Sequence, residues 1–392
     1  MSTNISIYWE EGGQNHEALW RSENGIAPHK KVVIADDVMT ADQAYRLACE
    51  GTALLWRGDF QNARQLLQAI VRRVDRPSKK SQRNKKSIQN TTSHTIADLF
   101  HLHRLAQSQR ARILGMLLLE CDVDHQIHLR RAPDISQACQ EAYGFAGVPY
   151  LVSLREILGV VSAHEWRKKG VLIKLSNDDI HIHPHYGVFS PIRGEYIQLV
   201  SSAPLPLALE EDSLAFDIGT GTGILSIVLA KRGVKKIIAS DLDPRALTCA
   251  RENIERLGLD SQVELTEINL FPQGKAALIV CNPPWLPARP SSSLEGAIYD
   301  PDSQMLKGFL QSLALHLSRD GEGWLILSDF AEHLGLRTRE QLLGWIDRAG
   351  LIVAGRLDTK PSHRKAYDQS DPLYAARSLE VTSLWRLRTA TP

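Results

Sequence analysis

Apolar positions change their spacing several times along the chain, and the changes divide it into five stretches. Over residues 1–75, Leu47, Leu54, Leu55, Leu66, Leu67, Ile70 and Val71 recur near helical spacing. The turn signal Gly58-Asp59 interrupts them, which predicts two antiparallel helices and a mainly helical N-terminal region. Residues 76–92 offer almost nothing to bury. Arg76–Asn90 holds six basic side chains and no acidic one, so it reads as a basic flexible linker that cannot offset its ordering entropy. Helical spacing resumes over 93–168, with Leu99, Leu102, Leu105, Ile113, Met116 and Leu117 as the apolar stripe of a helix over 96–120. A second, shorter helix is predicted at 153–163. In 169–200 the period drops to two. Val171–Leu175, the turn Ser176–Asp179 and Ile180–Phe189 predict a β-hairpin, followed by a segment leading into the last stretch.

From 201 to 392, apolar strands alternate with helical segments. Strands are predicted at 214–219, 236–241, 263–271, 276–285, 323–330, 351–358 and 379–387. Helices fall at 224–233, 244–258, 304–317 and 339–349. That alternation predicts an α/β domain with a seven-stranded, mostly parallel, Rossmann-like sheet. Ligands in such sheets bind outside the carboxyl ends of the strands.

Composition narrows the function little. The formal net charge of +1 excludes a nucleic-acid-coating protein, but the charge is uneven. Residues 72–131 carry 13 Lys and Arg against 5 Asp and Glu, a section able to steer an anionic partner or to form a solvated helix face. The five cysteines form no CxxC pair, so no disulfide framework or zinc ribbon is expected. The first residues lack the basic and apolar regions of a signal peptide, and no run approaches 18 apolar residues. A cytoplasmic protein with no membrane span is expected. His181, His183 and His185 alternate along one strand. Pro184 interrupts them and no carboxylate or thiol joins them locally, so no metal is expected.

The chemistry lies at three strand ends. Asp217-Ile218-Gly219-Thr220-Gly221-Thr222-Gly223 closes one strand and opens a helix, where glycines admit a ligand close to free N–H groups. Its spacing departs from the G-x-G-x-x-G dinucleotide fingerprint. Asp241 ends the next strand, placed to accept the two hydroxyls of a ribose, while Asp243 before Pro244 reads as a helix cap. The deciding feature is Asn282-Pro283-Pro284-Trp285 after the strand Ala276–Cys281. Two prolines remove N–H donors and fix φ, leaving rigid carbonyls. The Asn282 side-chain oxygen and the Pro283 carbonyl can hold both hydrogens of a planar NH2 group, and Trp285 offers a face for stacking.

FDIGTGTGILS, IIASDLDP, TEINLF and IVCNPPW together resemble the motifs of class I S-adenosylmethionine-dependent methyltransferases. The NPPW form is similar to that of members modifying amide or exocyclic amino nitrogens. The resemblance covers about residues 170–390. It implies that S-adenosylmethionine is the cofactor and that Asp217, Gly219, Thr220, Gly221 and Gly223 surround its methionine part. Asp241 and Leu242 would lie at its ribose, and Asn269 and Leu270 beside its adenine, although many relatives carry Asp where Asn269 stands. It also implies an antiparallel last strand. His185–Tyr196, with Phe189, Arg193 and Glu195, and Tyr299-Asp300-Pro301 are similar to segments of the HemK-type glutamine methyltransferases, which makes those three residues candidates for the substrate. Ile192 between Pro191 and Arg193, and Trp285 in place of the usual Tyr, depart from that pattern. The acceptor implied is a macromolecule, either a protein glutamine or a base of RNA or DNA. A small-molecule amine and a cofactor-binding protein without catalysis are the remaining readings.

Overall fold

The computed structural model describes residues 5–76, 95–175, 178–192, 194–290, 294–362 and 364–390. Arg193 and nearly all of the expected basic linker therefore lie outside the described residues. The chain forms two compact units, Met1–Glu165 and Trp166–Pro392.

The first unit corrects the expectation of a mainly helical region at both 1–75 and 93–168. It is a mixed α/β fold around a six-stranded sheet in the order β1-β2-β6-β5-β4-β3. The strands are β1 (Ser6–Glu11), β2 (Gln14–Trp20), β3 (Val32–Ala35), β4 (Ala53–Trp56), β5 (Leu117–Cys121) and β6 (Tyr150–Ser153). Leu54 and Leu55 belong to β4 and Leu117 to β5, not to helices. The reason is length. Four or five apolar residues buried on both faces have no visible period, so a central strand and a turn of buried helix look alike. The helices Phe60–Val74 and Ile96–Leu114 do form, and the second ends before Met116. It leaves Leu99, Leu102 and Leu105 exposed, so the predicted apolar stripe is not its buried face.

The second unit holds the hairpin β7 (Val171–Lys174) and β8 (Asp179–Ile182), and a seven-stranded sheet. The sheet comprises β9 (Leu214–Ile218), β10 (Lys236–Asp241), β11 (Val263–Glu267), β12 (Ala276–Cys281), β13 (Leu317–Ser328), β14 (Leu351–Thr359) and β15 (Thr382–Thr389). Their order is β11-β10-β9-β12-β13-β15-β14. The first five run parallel, and β15 is antiparallel to both β13 and β14. Helices cover both faces. Ala215, Leu278 and Val280 enter one core with the helix Ile224–Lys231. Phe216, Ile218, Ile279 and Cys281 enter the other with the helix Gln304–His316. Every residue of β12 is buried, which is why its sequence reads as an unbroken apolar run.

Register does the positioning. Cys281 lies opposite Ile218, and Ile218 opposite Ser240. Asn282 and Gly219, which follow β12 and β9, and Asp241, the last residue of β10, therefore emerge side by side at the carboxyl ends of these strands.

Candidate active site

The glycine turn is built around Asp217, which is completely buried. Its Oδ2 accepts hydrogen bonds from Thr220 Oγ1 at 2.7 Å, Ser226 Oγ at 2.7 Å and Ser226 N at 3.1 Å. Burial pushes the carboxyl above the usual aspartate range even though these donors favour the charged form. The other oxygen, Oδ1, is buried and has no partner among the described residues. It is an unused acceptor suited to a cationic ligand group. Two of the glycines do different work. At Gly223 (φ +81) a β-carbon would come within 3.3 Å of Ala250 Cα, so this glycine lets the helix Pro244–Arg256 pack. At Gly221 (φ +56) nothing lies within 4 Å of that position, which leaves room for a ligand against the backbone.

Asp241 sits beside this opening. Its Oδ2 accepts from Gly221 N at 2.9 Å and its Oδ1 from Asp243 N at 3.0 Å, and burial raises its carboxyl too. Asp243 caps the following helix through Arg245 N at 2.9 Å, as its sequence position suggested. Leu242 is 61% exposed, an apolar side chain left uncovered at the same edge. Asn269 is exposed. Leu270 adopts φ +61, a conformation that costs a bulky residue energy, and its carbonyl is held by Ser240 Oγ at 2.6 Å.

Trp285 Nε1–H donates to Asn282 Oδ1 at 2.9 Å. An indole N–H can only donate, so this bond fixes which end of the amide is oxygen and which way it faces. One lone pair of Oδ1 is used and the other stays available. Pro283 is buried, Asn282 is half-exposed, and the Trp285 ring packs against both cores of the sheet. The loop behind is clamped. Leu286 pairs with Tyr299, and Leu286 O accepts from Asp300 N at 2.8 Å. The Asp300 carboxylate accepts from Met305 N at 3.0 Å and Leu306 N at 3.1 Å, capping the helix that follows. Between them Asp302 and Ser303 hold φ near +55, a strained turn fixed by these bonds.

The arrangement thus brings Asp217, Gly221, Asp241 and Asn282–Trp285 to one edge. Thr220 is buried and its hydroxyl points to Asp217. Glu195 Oε1 accepts from Ser362 N at 3.1 Å, tying its helix (Glu195–Ser202) to the loop before β15. Phe189 is half-buried, next to Val188, which packs on Ala246 and Cys249. His183 Nδ1 is 2.6 Å from the Arg167 carbonyl, and His185 Nε2 is 2.8 Å from Glu252 Oε2. Sequence reasoning missed Ser226, Ser240 and the capping role of Asp300. Only Asp300, already marked by the Tyr299-Asp300-Pro301 segment, carried a signal that could have found it.

Residues 203–283 match the family model of the ribosomal protein L11 methyltransferases (PrmA). Over 76 residues the chain is 45% identical to the ribosomal protein L11 methyltransferase of Alkaliphilus oremlandii, covering 19% of this chain and 24% of that protein. Over 159 residues it is 26% identical to a Methanocaldococcus jannaschii protein provisionally named a protein N5-glutamine methyltransferase, covering 38% of this chain and 76% of that protein. The solved ribosomal protein L11 methylase of Lactobacillus delbrueckii subsp. bulgaricus aligns over 56% of this chain and 98% of its own, with a TM-score of 0.37 and 18% identity. The chain therefore spans about a quarter of the length of the L11 methyltransferase it matches in Alkaliphilus oremlandii.

Proposed function

We propose that this chain is an S-adenosylmethionine-dependent methyltransferase acting on a planar NH2 nitrogen, with a glutamine side-chain amide of a translation-related protein as the acceptor. Supporting the cofactor is the fit of the residues present. Asp217 keeps an unused buried acceptor oxygen, and Gly221 opens on free space next to the Asp241 carboxylate. In this reading Asp217, Gly219, Thr220, Gly221 and Gly223 would hold the methionine part, Asp241 and Leu242 the ribose side, and Asn269 and Leu270 the adenine. When bound, the cofactor supplies an electrophilic methyl group.

The observation that carries the reaction is the Trp285–Asn282 hydrogen bond at the end of β12. It leaves one Asn282 Oδ1 lone pair and the Pro283 carbonyl as two fixed acceptors. Both hydrogens of an NH2 group held there orient its nitrogen, and drawing on those hydrogens returns electron density to it. Positioning is the main catalytic lever for such a transfer. Among the described residues no group of three metal-ligating side chains accompanies the site, and the proposed roles need none.

A protein acceptor is supported by the names of the two sequence relatives. A nucleobase acceptor draws its support from the excess of basic residues over 72–131. Tritium-labelled S-adenosylmethionine, purified protein and an extract from cells lacking this gene separate the two. Label released by protease and retained after nuclease supports the glutamine reading, and label released by nuclease overturns it.

A further inference from the structure

Arg337 follows β13, two residues before the helix Arg339–Arg348, and it is only 3% exposed. Its Nε and Nη2 are buried and find no hydrogen-bond acceptor among the described residues. The acidic groups whose charge it feels are Glu332 and Asp300, with Arg339 adding like charge. Each acid is already engaged. Glu332 receives Arg339 Nε at 2.8 and 3.0 Å. Asp300 caps the helix Gln304–His316 through two backbone N–H groups. Among the described residues these two nitrogens therefore belong to a buried cation without a counter-charge in contact, an arrangement that costs several kcal/mol unless an anion completes it.

The strand order says which ligand faces this group. The cofactor residues proposed above lie at or just beyond the carboxyl ends of β9, β10 and β11, and the reaction residues follow β12. Arg337 follows β13, on the far side of β12 from the cofactor. Asp300, whose backbone N–H binds Leu286 O, links it to the loop just behind Trp285. We infer that Arg337 is the receptor for a carboxylate carried by the methyl acceptor, close to the nitrogen that is methylated. A planar guanidinium takes a carboxylate through two parallel bonds. Phosphates of a nucleic acid call for an open basic track, whereas this enclosed cation lies within reach of the charges of Asp300 and Glu332. This inference rests on the acceptor side of the proposed function, but its first test does not depend on methylation.

That test compares melting temperatures in sodium acetate and in sodium chloride at equal ionic strength, for the wild-type chain, Arg337→Met and Arg337→Gln. Acetate should raise the wild-type melting temperature and leave both variants unmoved. In chloride, Arg337→Met should melt about 2–4 °C above wild type, because an uncompensated buried charge has gone. An acetate effect that persists in both variants, or a larger effect of inorganic phosphate than of acetate on the wild type, overturns the carboxylate site. The second arm is kinetic. Acetate should inhibit labelled transfer competitively with extract protein and not with S-adenosylmethionine, whose affinity stays unchanged in Arg337→Met. Competition with S-adenosylmethionine would instead place the anion on the cofactor and overturn the acceptor assignment. If the wild type transfers no label at all, the proposed function fails while the melting comparison still decides the anion site.

Discussion

Replacing Trp285 by Phe keeps an aromatic ring against the two cores and removes one hydrogen bond, the 2.9 Å bond to Asn282 Oδ1. A bond of this kind contributes about 0.5–1.5 kcal/mol net. Without it the Asn282 amide can turn over, presenting its NH2 where an acceptor oxygen is needed. At roughly 1.4 kcal/mol per factor of ten, transfer should slow by about two- to twelvefold. Affinity for S-adenosylmethionine should not change, because no cofactor residue is touched. The same change made in an Asn282→Asp background is the sharper comparison. A carboxylate offers an oxygen whichever way it turns, so Trp285→Phe should there cost less than about twofold, a non-additivity typical of residues in contact. Single-turnover transfer of labelled methyl to extract protein measures all four proteins. Equal losses in the two backgrounds, or a wild-type rate in Trp285→Phe, would refute the claim that the indole N–H aims the amide.

Gly223→Ala should lower the melting temperature by several degrees, since it adds about 1–2 kcal/mol of left-handed strain to a 3.3 Å contact with Ala250. Gly221→Ala carries similar left-handed strain but meets no neighbour, so it should lower the melting temperature less than Gly223→Ala while weakening cofactor binding; calorimetric titration beside thermal melting distinguishes the two effects. Burial raises the carboxyls of Asp217 and Asp241 in the free chain, so each is more readily protonated folded than unfolded. Their ionisation therefore works against stability at high pH, and that cost fades as pH falls through the raised values. A cationic ligand favours the charged form, so its affinity should decline at pH values still above the ordinary aspartate range. Affinity that holds constant until pH 3.8, the ordinary aspartate value, would exclude these carboxyls from the cofactor site.

What could be read from the sequence follows from burial and spacing. The seven-stranded sheet was legible because its strands alternate with long helices and end in short motifs of unusual composition. The seven strands fall close to their predicted places. β11 is shorter than expected, stopping at Glu267 ahead of the left-handed Leu270. The first unit was misread because β3, β4 and β6 have four residues each, too few to display a period. Within the site, composition indicated a stacking ring at Trp285, but only coordinates reveal that its N–H is spent on Asn282. Arg337 was invisible for a similar reason. An arginine before a helix reads as solvated until the fold covers it and leaves it unpaired.

The account depends most on Asn282, and one pair of measurements on Asn282→Ala tests it directly. Calorimetric titration should give S-adenosylmethionine an affinity equal to that of the wild type, while transfer of labelled methyl to extract protein falls at least about tenfold. A variant that binds the cofactor and transfers label at the wild-type rate would contradict the account.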